Sequence, residues 1–356
     1  MTDRRPVPEQ EPRELVRPSG MNDRGVVILR AHEIDALLAG REGELIDVVC
    51  RAYVAHRQGR TSLPHSTFLR FPEAAANRII ALPAFLGDGF EVAGVKWIAS
   101  FPGNVQRGMA RASAVLILNS CSTGRPEAIL ESSLISAKRT AASAAAAARA
   151  LTGGARPRRV GLIGTGVINY EVARFLRAAL PGADRFLVFD LDRQRAEAFA
   201  ASLGRTFAGA EVELADAAST VLAECELVSF ATTAARPHIA DLSACPPGAV
   251  ILHVSLRDLS PQAILASDNV VDDADHVCRA ETSVHLAEQL TGSRGFIRCT
   301  LADILAGAAP PRDQAGRTAV FSPFGLGILD LAVGKVAFDL ALSQGQGSVI
   351  DAFLPE

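Results

Sequence analysis

The stretch RRVGLIGTGVIN, residues 158–169, decides the fold of the region around it. It begins with a short apolar run, turns through Gly164 and Gly166, and continues into a segment whose apolar residues repeat at helical spacing. A second apolar run, FLVFD at residues 186–190, ends in Asp190. This order predicts a strand, a glycine-rich turn, a helix and a second strand, which together form a βαβ unit.

The glycine-rich turn has the chemistry of a dinucleotide-phosphate site, and its alternative is a turn with a structural role alone. Gly164 allows a tight turn, and Gly166 lets backbone N–H groups at the helix N-terminus approach a pyrophosphate. Asp190 stands where a carboxylate accepts hydrogen bonds from an adenosine ribose and repels the 2′-phosphate of NADP. We therefore expect NAD as the cofactor, although Asn169 replaces the third glycine of the usual pattern. The predicted cofactor-binding residues are Gly164, Thr165, Gly166, Val167, Ile168, Asn169, Asp190, Thr232, Thr233 and Ser255.

From residue 158 onward, short apolar runs alternate with helical patterns. This alternation predicts an α/β fold with a doubly wound parallel sheet of the Rossmann type. The predicted strands are 159–163, 185–189, 211–214, 226–232, 249–255 and 269–272.

The region before residue 158 has a different pattern. A strand at 26–30 and helices near 31–39 and 43–58 are followed by β-rich runs with short polar loops, which predict an antiparallel meander. A long alanine-rich helix leads from the meander to the parallel region, and a last helix is expected to return to the meander. The β-rich runs are Ser62–Phe71, Arg78–Leu86, Val92–Phe101 and Ser113–Asn119, and the two helices are about Leu134–Leu151 and Leu326–Ser343.

Composition excludes several classes of partner. The 356 residues carry a net charge of −3, which indicates neither a nucleic-acid partner nor a membrane surface, and no apolar run reaches a membrane-spanning length of about 18 residues. The six cysteines are scattered without a CxxC motif, as is typical of free thiols in the cytoplasm. The histidines form no HxH or HExxH pattern, so we expect no metal. Residues 1–20 are rich in Pro, Arg and Glu and predict a disordered leader.

Three residues could carry chemistry. Lys96 lies in an apolar β run, where a buried lysine needs an anionic partner; the alternative is a lysine that points to solvent. Arg139 is flanked by small residues that let a ligand approach, and its alternative is a solvated helix face. Asp258 follows the predicted strand 249–255, at the sheet edge where ligands bind, which places it to reach a reacting carbon. Its alternative is an ordinary turn aspartate.

With these residues in place, the chain resembles the ornithine cyclodeaminase/mu-crystallin family over residues 26–350. Within that family it is most similar to the dehydrogenases that form 2,3-diaminopropionate for siderophores and antibiotics. The matching stretches are GVKWIASFPGN (94–104), RASAVLILN (111–119), ISAKRTAAS (135–143), GTGVIN (164–169) and FSPFGLGILDL (321–331).

The resemblance implies a role for each of the three residues. Lys96 and Arg139 would hold the substrate carboxylate beside the nicotinamide, and Asp258 would be the acid and base for water and amine. It also implies a homodimer built through the N-terminal sheet. The expected layout is therefore a discontinuous α+β domain for substrate binding and dimerisation, with an NAD-binding Rossmann domain inserted into it. The boundaries are 21–137 and 321–356 for the first domain and 138–320 for the second.

Two departures from the family pattern bear on the substrate. Cyclodeaminases place an arginine on the strand written here as Thr61–Ser66, where this chain has none until Arg70, and Arg111 stands where they have a small hydroxyl residue. Both departures disfavour ornithine. For Arg111 the reason is that its guanidinium would repel the distal ammonium of ornithine. An arginine instead suits a substrate with additional carboxylates.

The leading hypothesis is therefore oxidative hydrolysis of N-(2-amino-2-carboxyethyl)-L-glutamate by NAD, giving 2-oxoglutarate and 2,3-diaminopropionate. One alternative is an ornithine cyclodeaminase or an amino-acid or imino-acid dehydrogenase, which shares Lys96, Arg139 and Asp258. A third is a nucleotide-dependent binding protein without catalysis, which the carboxylates of Asp258 and Asp190 disfavour.

Overall fold

The computed structural model describes residues 25–74, 76–153, 155–311 and 316–355, so the predicted leader at 1–20 lies outside the described residues. Within these ranges the chain forms two eight-stranded sheets. The strands are β1 (Val26–Leu29), β2 (Thr61–Ser62), β3 (Thr67–Arg70), β4 (Arg78–Leu86), β5 (Val92–Ser100), β6 (Ala112–Asn119), β7 (Pro126–Glu131), β8 (Val160–Ile163), β9 (Arg185–Phe189), β10 (Glu211–Leu214), β11 (Leu227–Phe230), β12 (Val250–His253), β13 (Asp268–Val271), β14 (Ile297–Thr300), β15 (Ala319–Ser322) and β16 (Ser348–Ile350).

The helices cover both sheets, and the described residues contain none long and apolar enough to cross a bilayer. A 3₁₀ helix at Pro102–Arg107 adds to the α-helices. These are α1 (Ala31–Leu38), α2 (Glu42–Arg57), α3 (Ser133–Leu151), α4 (Val167–Ala179), α5 (Arg193–Thr206), α6 (Ala218–Glu224), α7 (Pro261–Leu265), α8 (Ala274–Val277), α9 (Ser283–Thr291), α10 (Leu301–Leu305) and α11 (Gly327–Gln344).

The first sheet has the order β16-β1-β7-β6-β5-β4-β2, with β3 also paired to β4. The prediction of an antiparallel meander is right for β3 through β7, where consecutive strands pair antiparallel. It is wrong for β1, which pairs in parallel with β7. A parallel pair needs a long connection, and here the chain passes through α1, α2 and five other strands between the two. The sheet is therefore mixed, and β7 and β16 are strands that the sequence patterns did not reveal.

The second sheet confirms the predicted doubly wound topology. Its order is β10-β9-β8-β11-β12-β15-β13-β14, and every neighbouring pair is parallel. The chain moves outward in one direction from β8 to β10 and then in the other direction from β11, so the order reverses between β8 and β11. Open sheets of this kind bind ligands outside the carboxyl ends of the strands at that reversal.

Two elements connect the sheets. The alanine-rich helix α3 is one continuous helix that packs on α2 and α4, and its residues 144–148 are completely buried, so small side chains let the helices approach closely. Strand β15 belongs to the second sheet, which therefore extends past the predicted boundary at residue 320 to Ser322. Helix α11 then crosses to the first sheet and packs on β4, β5 and β6.

Candidate active site

The carboxyl ends of five neighbouring strands, β8, β11, β12, β15 and β13, form one edge of the second sheet. Strands β11 and β12 end at Phe230 and His253, earlier than predicted, so Thr232 and Ser255 lie in the loops beyond the strands. These loops, together with the glycine-rich turn after β8, hold most of the predicted site residues.

The glycine-rich turn has the geometry of a phosphate cradle. Gly164 has φ +92°, and a Cβ there would lie 2.6 Å from the carbonyl oxygen of Ala231, so only glycine fits. A Cβ on Gly166 would meet nothing within 4 Å, which means that the turn is open on the side where a ligand approaches. Helix α4 begins directly after Gly166, and its first residue, Val167, is 59% exposed. The free N–H groups of this helix start therefore face open space, and they fit a pyrophosphate.

Asp190 lies beside this turn, as predicted. Its Oδ2 accepts hydrogen bonds from the backbone N–H (2.9 Å) and hydroxyl (2.7 Å) of Thr165, and its Oδ1 accepts from the backbone N–H of Asp192. Partial burial raises the pKa of Asp190, but the hydrogen bonds from Asp192 and Thr165 outweigh burial and hold the pKa below its usual value. A charged carboxylate is thus fixed at the turn, where it fits a ribose hydroxyl and repels a phosphate.

The remaining predicted cofactor residues divide into two kinds. The Asn169 side chain is completely buried, donates to the carbonyl oxygens of Ile163 (3.0 Å) and Gly164 (2.7 Å), and accepts from the Ser229 hydroxyl. Asn169 therefore stabilises the turn through these hydrogen bonds, and none of its side-chain polar atoms is free to bind a ligand. Thr233, in contrast, is exposed beyond the end of β11.

Lys96 and Arg139 both donate hydrogen bonds to a residue that the sequence analysis did not predict. The Lys96 ammonium donates to Asp330 Oδ2 at 2.7 Å, and Arg139 Nε donates to Asp330 Oδ1 at 3.1 Å. The Ser136 hydroxyl lies 3.3 Å from Lys96 Nζ. Lys96 is 2% exposed and Asp330 is completely buried, so the anionic partner that the lysine needs comes from helix α11. The signal for it was the single acid in the apolar run GILDLAV at the start of α11.

The pKa of Lys96 reflects these contacts. Burial lowers it to about 8, with a further lowering by Arg139 and an opposing effect from Asp330. The lysine is therefore charged at neutral pH but titrates much closer to neutrality than an ordinary lysine does.

The loop between β15 and α11 packs against this pair of cations. Gly325 has φ +93°, and a Cβ there would lie 2.7 Å from Arg139 Nη1, so the guanidinium packs against a glycine backbone. Asp272, at the end of β13, accepts the backbone N–H groups of Phe324 (2.9 Å) and Gly325 (2.7 Å). Burial raises the pKa of Asp272 to about 6 even against these hydrogen bonds.

Asp258 lies at the centre of a second network. Its side chain is completely buried and accepts hydrogen bonds from the hydroxyls of Thr232 and Ser255. His238 Nε2 lies 3.1 Å from Asp258 Oδ1. His253 Nε2 lies 3.1 Å from the Asp258 backbone nitrogen and 3.3 Å from its Oδ2. Asp258 lies in the loop after β12, five residues beyond His253, and the sequence analysis identified neither histidine.

The network around Asp258 keeps its carboxylate charged. Burial raises its pKa, but His253, Ser255 and Thr232 together lower it far more, to well below the usual range. A carboxylate of this kind is a weak base by itself. His238, whose side chain is 44% exposed, connects it to the open side of the cleft.

Arg111 is half-buried near the end of the first sheet. Its Nη1 donates to the Ser100 hydroxyl at 2.8 Å, and it forms no ion pair with an acid among the described residues. Burial lowers its pKa. A partly buried guanidinium without an acidic partner fits an anion.

Within the described ranges, no three His, Cys, Asp or Glu side chains converge to hold a metal ion. The site is therefore built from a glycine-rich turn, a buried carboxylate beside two histidines, and a buried pair of cations.

Comparisons with known proteins find similarity over most of the chain. The model of the ornithine cyclodeaminase/mu-crystallin family matches residues 26–345. The N-((2S)-2-amino-2-carboxyethyl)-L-glutamate dehydrogenase of Staphylococcus aureus (strain NCTC 8325 / PS 47) is 26% identical over 93% of this chain and 100% of its own length. The Thermococcus litoralis Delta(1)-pyrroline-2-carboxylate reductase, solved with NADH and L-proline, has a TM-score of 0.84 and 26% identity, covering 91% of this chain and 99% of its own. An archaeal alanine dehydrogenase dimer with bound NAD has a TM-score of 0.81 and 25% identity, covering 92% of this chain and 99% of its own.

Proposed function

The chain belongs to the ornithine cyclodeaminase/mu-crystallin family, and we propose that it is an NAD-dependent dehydrogenase acting on a CH–NH bond. Its proposed substrate is N-[(2S)-2-amino-2-carboxyethyl]-L-glutamate, and its products are 2-oxoglutarate and L-2,3-diaminopropionate, a precursor for a siderophore or a peptide antibiotic. The observation that carries this choice of substrate is Arg111, a half-buried guanidinium without an acidic partner among the described residues. The Staphylococcus aureus relative bears the name of the same activity.

The residues present fit NAD. The N–H groups after Gly166 would bind the pyrophosphate, and Asp190 would accept the ribose hydroxyls. When bound, NAD supplies the acceptor for a hydride. Both structural relatives described above were solved with NAD or NADH.

Lys96 and Arg139 would hold the α-carboxylate of the glutamate part. Asp330 fixes both cations in the free protein, so little reorganisation is needed when a carboxylate arrives. The lysine has three N–H donors, two of which point at Asp330 and Ser136, so one is available to the substrate.

The proposed reaction balances as follows. The Cα–H bond of the glutamate part breaks and its electron pair leaves as hydride, while the nitrogen lone pair forms a C=N bond and the N–H proton is released. Water then adds to that carbon, and its first proton passes to the nitrogen. The remaining hydroxyl becomes the C=O group as the C–N bond breaks with its electrons on nitrogen, and the hydroxyl proton also ends on nitrogen, which leaves as the amine of 2,3-diaminopropionate. The sum is substrate, NAD⁺ and water giving 2-oxoglutarate, 2,3-diaminopropionate, NADH and a proton.

Asp258 would handle the protons together with His238. Because its pKa is held low, we assign to the carboxylate the role of stabilising positive charge on the neighbouring imidazole, which takes the proton from water. Replacing Asp258 with Asn should lower turnover by ~10²–10⁴-fold while NAD binding is retained. Near-normal turnover of Asp258→Asn, measured as NADH formation, would remove this residue from the mechanism.

The alternative of an amino-acid or imino-acid dehydrogenase has support from the relatives, since one is an alanine dehydrogenase and another a pyrroline-2-carboxylate reductase. Alanine and proline have one carboxylate, which Lys96 and Arg139 would occupy, and they leave Arg111 without an anion. For ornithine the mismatch is larger, because its distal ammonium would meet that guanidinium.

A homodimer through the first sheet is part of the proposal. Lys96 faces α11, and the opposite face of the sheet exposes the large apolar side chains of Leu69 (42%), Trp97 (44%) and Val115 (40%). Trp97 and Val115 are direct cross-strand neighbours, so they form one apolar surface. We place the enzyme in the cytoplasm, since its six cysteines are free thiols.

The test is incubation of the purified protein with NAD and one candidate substrate at a time. The candidates are N-[(2S)-2-amino-2-carboxyethyl]-L-glutamate (called the glutamate adduct below), ornithine, alanine and proline. We expect NADH to form with the adduct, together with equal amounts of 2-oxoglutarate and 2,3-diaminopropionate. Faster NADH formation from alanine or proline, or proline formation from ornithine without net NADH, would replace the proposed function with one of its alternatives.

A further inference from the structure

The register of the first sheet places arginines opposite each other. Arg70 on β3 is the direct partner of Arg78 on β4, and Arg78 is in turn the direct partner of Ser100 on β5. Direct partners in an antiparallel pair place their side chains on the same face, about 4.5–5.5 Å apart at Cβ, where like charges repel. Arg111 reaches the same place, because it donates to the Ser100 hydroxyl.

This row of arginines lies on the face of the sheet that carries Lys96. Side chains alternate along a strand, so Lys96 and Ser100, four residues apart on β5, point to the same side. Their separation along the strand is roughly 13 Å. Cations at two points along one face can therefore be bridged by a ligand with carboxylates at separated positions.

The opposite wall comes from the second sheet. Arg257, directly before Asp258, donates through Nη2 to the carbonyl oxygen of Ala280 at 2.6 Å. A cleft of about 280 Å³ lies between the sheets, with Arg70 on one side, Arg279 on the other and Phe324 at its wall. Phe324 precedes Gly325, on which Arg139 packs, so the cleft adjoins the Lys96–Arg139 pair.

The loops of this wall are held in an unusual conformation. Leu256, Ala280 and Glu281 have φ of 68°, 54° and 55°, in the left-handed region that residues other than glycine rarely adopt. The Arg257 contact to Ala280 ties the two loops, as does the hydrogen bond from Ser283 N–H to the Leu256 carbonyl oxygen. Such backbone strain persists only where the surroundings enforce it, and it concentrates at ligand sites.

The arginines of the row have no compensating acid. Among the described residues, neither Arg70, Arg78 nor Arg111 forms an ion pair, whereas many other arginines of the chain do. Burial lowers the pKa of Arg78, and the nearby Arg257, Arg111 and Arg70 lower it further. Arg78 and Arg111 are partly buried, so a bound anion would supply the counter-charge that these two side chains lack.

We propose that the arginine cleft, lined by Arg70 and Arg279 with Arg78, Arg111 and Arg257 beside it, is a subsite for a second carboxylate and makes the enzyme selective for substrates with a dicarboxylate arm of the glutarate type. The inference rests on the proposed function and extends it from Arg111 to four further residues. The Lys96–Arg139 pair holds one carboxylate and the cleft holds the other. A ligand with one carboxylate leaves the cleft without its counter-charge and binds more weakly.

The test measures binding by isothermal titration calorimetry, with and without NADH, for 2-oxoglutarate and glutarate against pyruvate and butyrate. We expect the dicarboxylates to bind at least tenfold more tightly. The substitutions Arg78→Gln and Arg257→Gln should each weaken glutarate binding by roughly tenfold to a hundredfold, the range of a charged hydrogen bond, and leave pyruvate binding unchanged. Arg78→Lys, which keeps the charge without the planar fork, should restore part of the affinity.

The control is Arg125→Gln, which changes an exposed arginine in the turn before β7 and should not alter any of these affinities. Thermal unfolding of each variant shows that it is folded. If dicarboxylates bind no more tightly than monocarboxylates, or if both arginine variants keep wild-type affinity for glutarate, the subsite is wrong. If dicarboxylates bind as expected but the glutamate adduct is not oxidised, the proposed function fails and the subsite stands.

Discussion

Lys96 and Arg139 share the carboxylate of Asp330, whereas Arg70 and Arg78 face each other across two strands with no acid of the described chain paired to either. Both groups lie against the same face of the first sheet. In the first group, the protein supplies the counter-charge and fixes the geometry before a ligand arrives. In the second, Arg70 is exposed and Arg78 is partly buried, and we propose that the ligand supplies the counter-charge. We propose that the difference separates two tasks, in which the paired cations position the reacting carbon and the unpaired ones select the ligand.

The largest expected effect comes from removing the shared counter-charge. Asp330→Asn leaves two buried cations uncompensated, and breaking a buried pair in this way costs about 3–5 kcal/mol. We expect a loss of that size in the free energy of unfolding in urea, together with loss of activity. Asp339→Asn on the same helix, which removes the half-exposed partner of Lys335, is the matched control and should cost less than about 1 kcal/mol. Equal losses in the two variants would contradict the comparison.

Arg111→Thr addresses the unpaired group. It should weaken binding of the glutamate adduct by roughly 1.5–3 kcal/mol, the scale of a hydrogen bond to a charged group, and leave NAD affinity unchanged. The Michaelis constant for the adduct and the dissociation constant for NAD measure the two effects separately. An unchanged Michaelis constant and turnover would show that Arg111 does not contact the substrate.

Substrate binding by the Lys96–Arg139 pair should depend on pH. Since burial lowers the pKa of Lys96 to about 8, the lysine is charged below that pH and becomes neutral above it. Affinity for the substrate carboxylate should therefore fall above pH 8, by at most about tenfold per pH unit. The Michaelis constant measured from pH 6.5 to 9.5 tests this, with Lys96→Arg as the variant that should lose the dependence. A Michaelis constant that does not change with pH in the wild type would contradict a pKa of about 8 for Lys96.

The smallest expected effect is a change in the stability of the variant Arg78→Gln. In the unliganded protein, Arg78→Gln removes one of two like charges in direct cross-strand contact, so stability should stay the same or rise by about 0.2–1 kcal/mol. Saturating glutarate should reverse the order, because the wild type then gains more from the ligand. Urea unfolding with and without glutarate gives both values. A clear destabilisation without ligand would mean that Arg78 already has its counter-charge.

The second sheet was predictable because its signals are local. Each of its central strands is an apolar run between turn residues, and the glycine-rich turn specifies the connection after β8. The family resemblance read from the motifs is confirmed by the match over residues 26–345. The strands that escaped prediction, β7, β14, β15 and β16, are short or begin with a proline, and most of their pairing partners are distant in sequence.

The site was predictable to the extent that each residue carried its own motif. Lys96, Arg139 and Asp258 stand in recognisable stretches, and their roles stay predictions. Asp330 and the arginine row were missed for a different reason. Asp330 is the single acid in the apolar run GILDLAV at the start of α11, and Arg70 meets Arg78 only through the strand register, which no local pattern encodes.

The position of β15 determines the order in which this protein can assemble during synthesis. The strand lies between β12 and β13, yet it is the last of its sheet to leave the ribosome. Until then β12 and β13 have open edges that invite wrong pairing. Asp330 lies in the next helix, α11, so Lys96 and Arg139 also have no carboxylate partner until that helix has been synthesised. A nascent chain halted before residue 319 therefore lacks a central strand and the charge balance of its active site together, and should depend on chaperones until both arrive.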